Sequence, residues 1–104
     1  MTEDENDTEF VVDERVDFPD SSRMVSISVR LVPASEAYPE GVKYRMHYGT
    51  YDGTTILRYD NSHEKTKGHE RHVEGRTESI EFTGWEALLE RFRSEVMEHE
   101  QQYD

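Results

Sequence analysis

Residues 42–61 read Val-Lys-Tyr-Arg-Met-His-Tyr-Gly-Thr-Tyr-Asp-Gly-Thr-Thr-Ile-Leu-Arg-Tyr-Asp-Asn, and the fold turns on this stretch. Val42, Tyr44, Met46 and Tyr48 alternate with Lys43, Arg45 and His47, the period-two pattern of a strand with one buried face. Asp52-Gly53 supplies hairpin-turn chemistry, and Thr54 to Asn61 forms the returning strand. Counting outward from the turn places Tyr48 opposite Leu57, His47 opposite Arg58, Met46 opposite Tyr59 and Arg45 opposite Asp60. Directly opposed residues share a sheet face. Tyr44, Met46, Tyr48, Leu57 and Tyr59 therefore form an apolar face, and Arg45, His47, Arg58 and Asp60 a polar one. An odd loop would mix the two sets, so the pattern predicts an even one.

Upstream, Phe10, Val12, Val16 and Phe18 share one parity, which predicts a first strand with its even face buried. Pro19-Asp20-Ser21-Ser22 is turn chemistry. Val25, Ile27, Val29 and Leu31 then alternate with polar residues through a second strand, Arg23 to Val32. Pro33 to Gly41 reads as a loop. Downstream, a short strand is expected near Arg71 to Glu74 and another near Ser79 to Phe82, with Ile80 and Phe82 inward. Thr83 and Glu86 have the spacing of a capping box. They open the stripe Trp85, Leu88, Leu89, Phe92 and Val96, an amphipathic helix that lays a lid on the apolar strand face. The expected fold is α+β: an antiparallel β-meander of about four to six strands with one C-terminal helix packed on one face. Residues 1–9 carry five carboxylates and read as an acidic disordered N-terminus, 10–97 as the single domain, and 98–104 as a frayed acidic end.

The chain holds 24 Asp+Glu against 12 Lys+Arg, and only Lys43, Lys65 and Lys67 are lysine. Because the acids are spread along the chain, an acidic surface tuned to molar salt is favoured over a surface that binds a basic partner, since self-repulsion is screened over about 3 Å at 1 M salt. Cysteine is absent, which excludes disulfide scaffolds, Cys-ligated zinc and thiol nucleophiles. No stretch has the roughly twenty apolar residues that cross a bilayer, and the acidic start does not read as a signal peptide, so a cytoplasmic protein without a membrane partner is expected.

Chemistry is expected in the segment after the hairpin. His63, His69 and His72 fall within ten residues, and His47 lies on the polar face that runs toward them. Arg58 to Arg76 holds five basic residues against four acids in an otherwise acidic chain. One reading is cleavage of a phosphodiester without a cofactor, with imidazoles as acid and base and guanidinium on the phosphorane. A second is a metal site built from His63, His69 and His72, perched on an open loop. A third is a solvated loop on a non-catalytic interaction module, in which Arg45 and Asp60 are a plain cross-strand ion pair. The tyrosines at 44, 48 and 59, and Trp85, read as core.

The sequences Arg58-Tyr59-Asp60-Asn61-Ser62-His63 and Gly68-His69-Glu70-Arg71-His72-Val73, with Tyr38 to Arg45 before them, resemble the TumE family of toxin–antitoxin proteins in a form seen among salt-loving archaea. The resemblance spans roughly Phe18 to Val96. It implies a toxin that acts on RNA or the translation machinery and is held in check by a cognate antitoxin. A homodimer is compatible with it. Carried onto this chain, it falls on Arg58, Asp60, Asn61, His63, His69 and His72. The resulting expectation is a metal-independent endoribonuclease with His63, His69 and His72 as catalytic groups, and with Arg58, Asp60 and Asn61, joined by Arg71, His47 and Arg45 of the same segment and polar face, binding substrate.

Overall fold

The computed structural model describes residues 9–61 and 68–102. Six strands lie in one antiparallel sheet in sequence order: β1 (Glu9–Phe18), β2 (Arg23–Leu31), β3 (Val42–Thr50), β4 (Thr55–Asp60), β5 (Glu70–Val73) and β6 (Arg76–Ser79). The helix α1 (Trp85–Gln101) covers one face. This is the α+β meander that the alternation predicts. The core joins Val25, Ile27 and Val29 of β2 to Tyr44, Met46 and Tyr48 of β3, Leu57 and Tyr59 of β4 and Val73 of β5, all beneath Leu88, Phe92 and Val96 of α1. Trp85 and Leu89 pack at its margin. Among the described residues no helix is long and apolar enough to cross a membrane.

The β3–β4 hairpin has the predicted register, with Arg45 opposite Asp60 and Tyr48 opposite Leu57, but its turn is odd. Thr50 N–H donates to Thr54 O at 2.9 Å, so Tyr51, Asp52 and Gly53 form the turn proper. A bulge restores the count: Gly49 pairs with Thr55 and Tyr48 with Leu57, which leaves Ile56 as the extra residue. The pinch requires glycine at 49, where a Cβ would overlap the Thr54 carbonyl oxygen and come within 3.0 Å of His47 Cε1. Gly49→Ala is expected to cost about 1–3 kcal/mol through this overpacking, seen as a lower urea midpoint with an unchanged slope.

Four further expectations are corrected. A bulge between Phe10 and Val12 moves Phe10 off the buried face; it pairs with Arg30, whose guanidinium carbon lies 5.4 Å from its ring centroid, and the ring is 53% exposed. The last strand is Arg76–Ser79 and precedes Ile80 and Phe82, which still pack on the core. Its placement follows from the two-residue turn Glu74-Gly75, where both residues have positive φ (51° and 81°), as a type I′ turn demands. The capping box does not form: α1 begins at Trp85 with Gly84 as N-cap and no side-chain cap bond. Thr83 thus stands one residue too early, and Glu86 is the second helical residue instead of the third. Finally, α1 runs through Gln101, beyond the point at which fraying is predicted. Glu100 ties it down, accepting from Ser21 Oγ at 2.9 Å and from Tyr48 OH at 2.5 Å, while His99 packs against the Tyr48 ring.

Candidate functional site

The helix covers one face of the sheet and leaves the other open. Successive side chains of a strand alternate between faces, so the ladder registers show what the open face carries. Ser26, His47, Arg58, His72 and Thr77 stand directly opposite one another from β2 to β6 and form one row across the sheet. The neighbouring row is Ser28, Arg45, Asp60, Glu70 and Ser79. Arg30 and Lys43 begin the next. Over β2, β3 and β4 the open face thus bears Arg30, Lys43, Arg45 and Arg58 against the single carboxylate Asp60, on a chain of net charge −12.

The centre of this face is built tightly. Arg58 Nε and Asp60 Oδ2 form an ion pair 2.8 Å apart, and Asp60 is buried. A guanidinium has five N–H donors, so the pair with Asp60 still leaves its terminal nitrogens for an anion. His47 Nε2 and Thr55 Oγ1 lie 2.8 Å apart. Burial, then the positive charges of Arg45 and Arg58, lower the His47 pKa below its ordinary value of 6.5, which keeps the ring neutral at pH 7. His72 Nδ1 is 3.0 Å from Thr77 Oγ1, and its Nε2 is 3.5 Å from Glu70 Oε1. Strands are spaced by about 4.8 Å, so the backbones at His47 and His72 stand about 10 Å apart on either side of Arg58. Arg45→Gln removes one of the charges that disfavour imidazolium. The His47 pKa is expected to rise, observed as a titration of its ring protons by NMR that moves to higher pH.

Asp60, Glu70 and His72 also place one donor atom each within 4.8 Å of one another, the candidate metal set among the described residues. Carboxylate and imidazole donors suit zinc or manganese. A cation there would have to compete with the Arg58 guanidinium for Asp60.

The residues predicted for the site divide between the two faces. Arg45, His47, Arg58, Asp60 and His72 meet on the open one. His69 is on the helix side, where its ring stacks on Phe82 at 4.4 Å and its Nδ1 lies 2.9 Å from the Tyr44 hydroxyl. Its Nε2 is 3.2 Å from Glu40 Oε1. Burial, then Asp60 and Glu40, push the Tyr44 phenol far above its ordinary pKa, so it stays protonated. This Tyr44–His69–Glu40 chain clamps the loop before β3 to the start of β5. Arg71 also faces the helix: its Nε donates to Glu95 Oε1 at 3.1 Å, its second amino group bonds the other Glu95 oxygen, and Nη1 reaches Glu78 at 2.8 Å. Burial alone would raise the Glu95 pKa, but hydrogen bonds from Arg71 and Tyr59 outweigh it and leave the carboxyl below its ordinary range. Asn61 is buried and closes the ladder between β3 and β4, accepting from Tyr44 N–H at 2.9 Å and donating to Val42 O at 2.8 Å. His63 lies outside the described residues, as do Lys65 and Lys67. Of the histidines expected to share chemistry or a metal, His69 and His72 therefore lie on opposite faces of the sheet.

Sequence reading passed over Arg30, Lys43, Ser26, Ser28, Thr55 and Thr77. The first four were legible from the parity of β2 and β3; Thr77 needed the β5–β6 turn, and Thr55 the bulge beside it. Comparison with curated proteins gives no match, and neither does comparison with solved structures. A family model does match, that of the toxin TumE, over residues 2–100, nearly the whole chain. The chain, with its six-stranded meander and with Arg45, His47, Arg58 and His72 on its open face, belongs to the TumE toxin family.

Proposed function

We propose that this toxin acts by cleaving RNA on the open sheet face, without a resident metal, between His47 and His72. The observation that carries the proposal is the row His47–Arg58–His72, one guanidinium flanked by two imidazoles in register on adjacent strands. Neutral His47 takes the proton of a ribose 2′-hydroxyl. The 2′-oxygen then forms a bond to phosphorus, and Arg58 stabilises the charge that accumulates on the phosphorane oxygens. His72, protonated, gives its proton to the 5′-oxygen as the P–O5′ bond breaks. The products are a 2′,3′-cyclic phosphate and a 5′-hydroxyl, so atoms and protons balance. Membership in a toxin family implies a cognate antitoxin as partner. The acid-rich surface is proposed to serve at high salt, where screening removes its self-repulsion.

The test is digestion of a labelled oligoribonucleotide by the full chain in about 2 M KCl, a level set by the screening argument, with EDTA or with added divalent metal, beside an all-deoxy strand of the same sequence. Cleavage of the ribo strand alone, resistant to EDTA and ending in a cyclic phosphate, is the expected result. A second reading rests on the convergence of Asp60, Glu70 and His72, a divalent cation that activates water. It predicts EDTA-sensitive cleavage that does not need the 2′-hydroxyl. Absence of cleavage under every condition by a chain of intact helicity would rule out both and leave an interaction module.

A further inference from the structure

We propose that the substrate is single-stranded RNA, laid along β3, held by its phosphates and by one base stacked on Phe10, with no reading of base identity; this rests on the cleavage proposed above. The open face of β2 to β4 carries Arg30, Lys43, Arg45 and Arg58 against Asp60 alone. Lys43, Arg45 and His47 are same-face residues of one strand and recur every ~6.8 Å. That interval is comparable with the separation of successive phosphates in an extended single strand. Arg45 is exposed and has no carboxylate partner among the described residues. Between these cations the surface dips. Ser26 and Ser28, small side chains, floor a depression shared with Arg45 and His47, which continues through Ser28 and Arg45 toward Arg30 and Lys43. A further polar depression holds Arg58, His72 and Thr77. The track therefore leads from the Lys43 end of the sheet to the proposed reaction centre.

Phe10 supplies the second half of the argument. The β1 bulge turns this ring onto the cationic face beside Arg30, where it is 53% exposed. An apolar ring next to a phosphate-binding cation is the pairing that single-strand binders use, because every base offers a π face. The tyrosines of the core, by contrast, are turned toward α1 and unavailable to bases. Among the described residues the neighbour of Phe10 across the ladder is Arg30, assigned here to phosphate, so base identity is not read at this ring. A duplex fits poorly, since its bases are stacked away from Phe10 and its backbone cannot rotate a 2′-oxygen into line with the leaving oxygen.

The experiment is fluorescence anisotropy with a 2′-O-methyl oligouridine, which binds but cannot be cut, against a 2′-O-methyl duplex of equal length, from about 0.1 to 1 M KCl wherever helicity is unchanged. Tighter binding of the single strand is expected, by about 10-fold or more. The log–log salt slope should be about −3, from four cations at about 0.7 each. Lys43→Gln should reduce the slope by about 0.7 equally for uridine, adenosine and cytidine strands. Phe10→Ala should weaken binding by about 10-fold at unchanged slope. Equal or tighter binding of the duplex, or indifference of the single strand to both substitutions, overturns the inference. If unmodified RNA is cut while the duplex is preferred, the inference fails and the cleavage reading stands. If the single strand binds as described and is never cut in its ribo form, the reverse holds.

Discussion

His47→Ala and His72→Ala are each expected to lower the rate of RNA cleavage by about 10²- to 10⁴-fold, the usual contribution of a positioned acid or base. Both groups are asked to work only as the proton moves, so the loss belongs in kcat with little change in KM. The double variant should be scarcely slower than the worse single one, because each group needs the other for a balanced proton transfer. Neither substitution touches the core: His47 bonds Thr55 and His72 bonds Thr77, both near the surface. Helicity and the urea midpoint should therefore stay close to those of the native chain. His69→Ala supplies the contrast. It removes the ring held between Tyr44, Glu40 and Phe82, so it should lower the urea midpoint while leaving the cleavage rate of the folded fraction near that of the native chain. A rate lost in His69→Ala but kept in His47→Ala would move the chemistry to the helix side and refute the assignment.

Phe92→Ala is expected to be among the most damaging single changes to stability, at about 3–5 kcal/mol. Phe92 has no exposed surface and meets the Tyr59 ring edge-on, with centroids 5.2 Å apart and planes at 80°. It stands at the middle of the α1 stripe, between buried Leu88 and Val96, so the cavity cannot be closed by a small shift of the helix end. Folded domains hold only about 5–15 kcal/mol in reserve, and a chain of net charge −12 spends part of that on self-repulsion in dilute buffer. The variant should thus be partly unfolded at low salt and recover helicity as KCl screens the charge. Met97, 48% exposed on the outer side of the same helix, is the control: Met97→Ala should cost well under half as much. Equal midpoints for the two variants in urea would show that α1 is not seated by Phe92.

How far the sequence reaches is clearest at the β3–β4 hairpin. Alternation along Val42 to Tyr48 and Leu57 to Asp60 was enough to pair Arg45 with Asp60 and His47 with Arg58, because a slip of one residue would turn every tyrosine to water. The same logic fixed β2, and the three- and four-residue spacing of Leu88, Phe92 and Val96 fixed the helix and the face it covers. The motifs at Arg58 to His63 and Gly68 to Val73 pointed to the family that residues 2–100 match.

The partition of the histidines needed the fold. Density along the chain gathered His63, His69 and His72, but His72 stands within β5 on the open face, whereas His69, just before the strand, is held on the helix side by Tyr44 and Phe82. His47 came into one row with His72 through the β4–β5 register, which pairs Arg58 with His72 across a connection whose length no local pattern specifies. Phe10 changed faces because of one unpaired residue in β1, and the helix starts with Gly84 as its cap, one residue later than the Thr83–Glu86 spacing predicts. Local alternation and helical spacing are properties of neighbours in sequence, so the chain by itself determined its strands, its helix and its core. Bulges and long-range register depend on how distant segments meet, and it was these that decided which side chains share the open face.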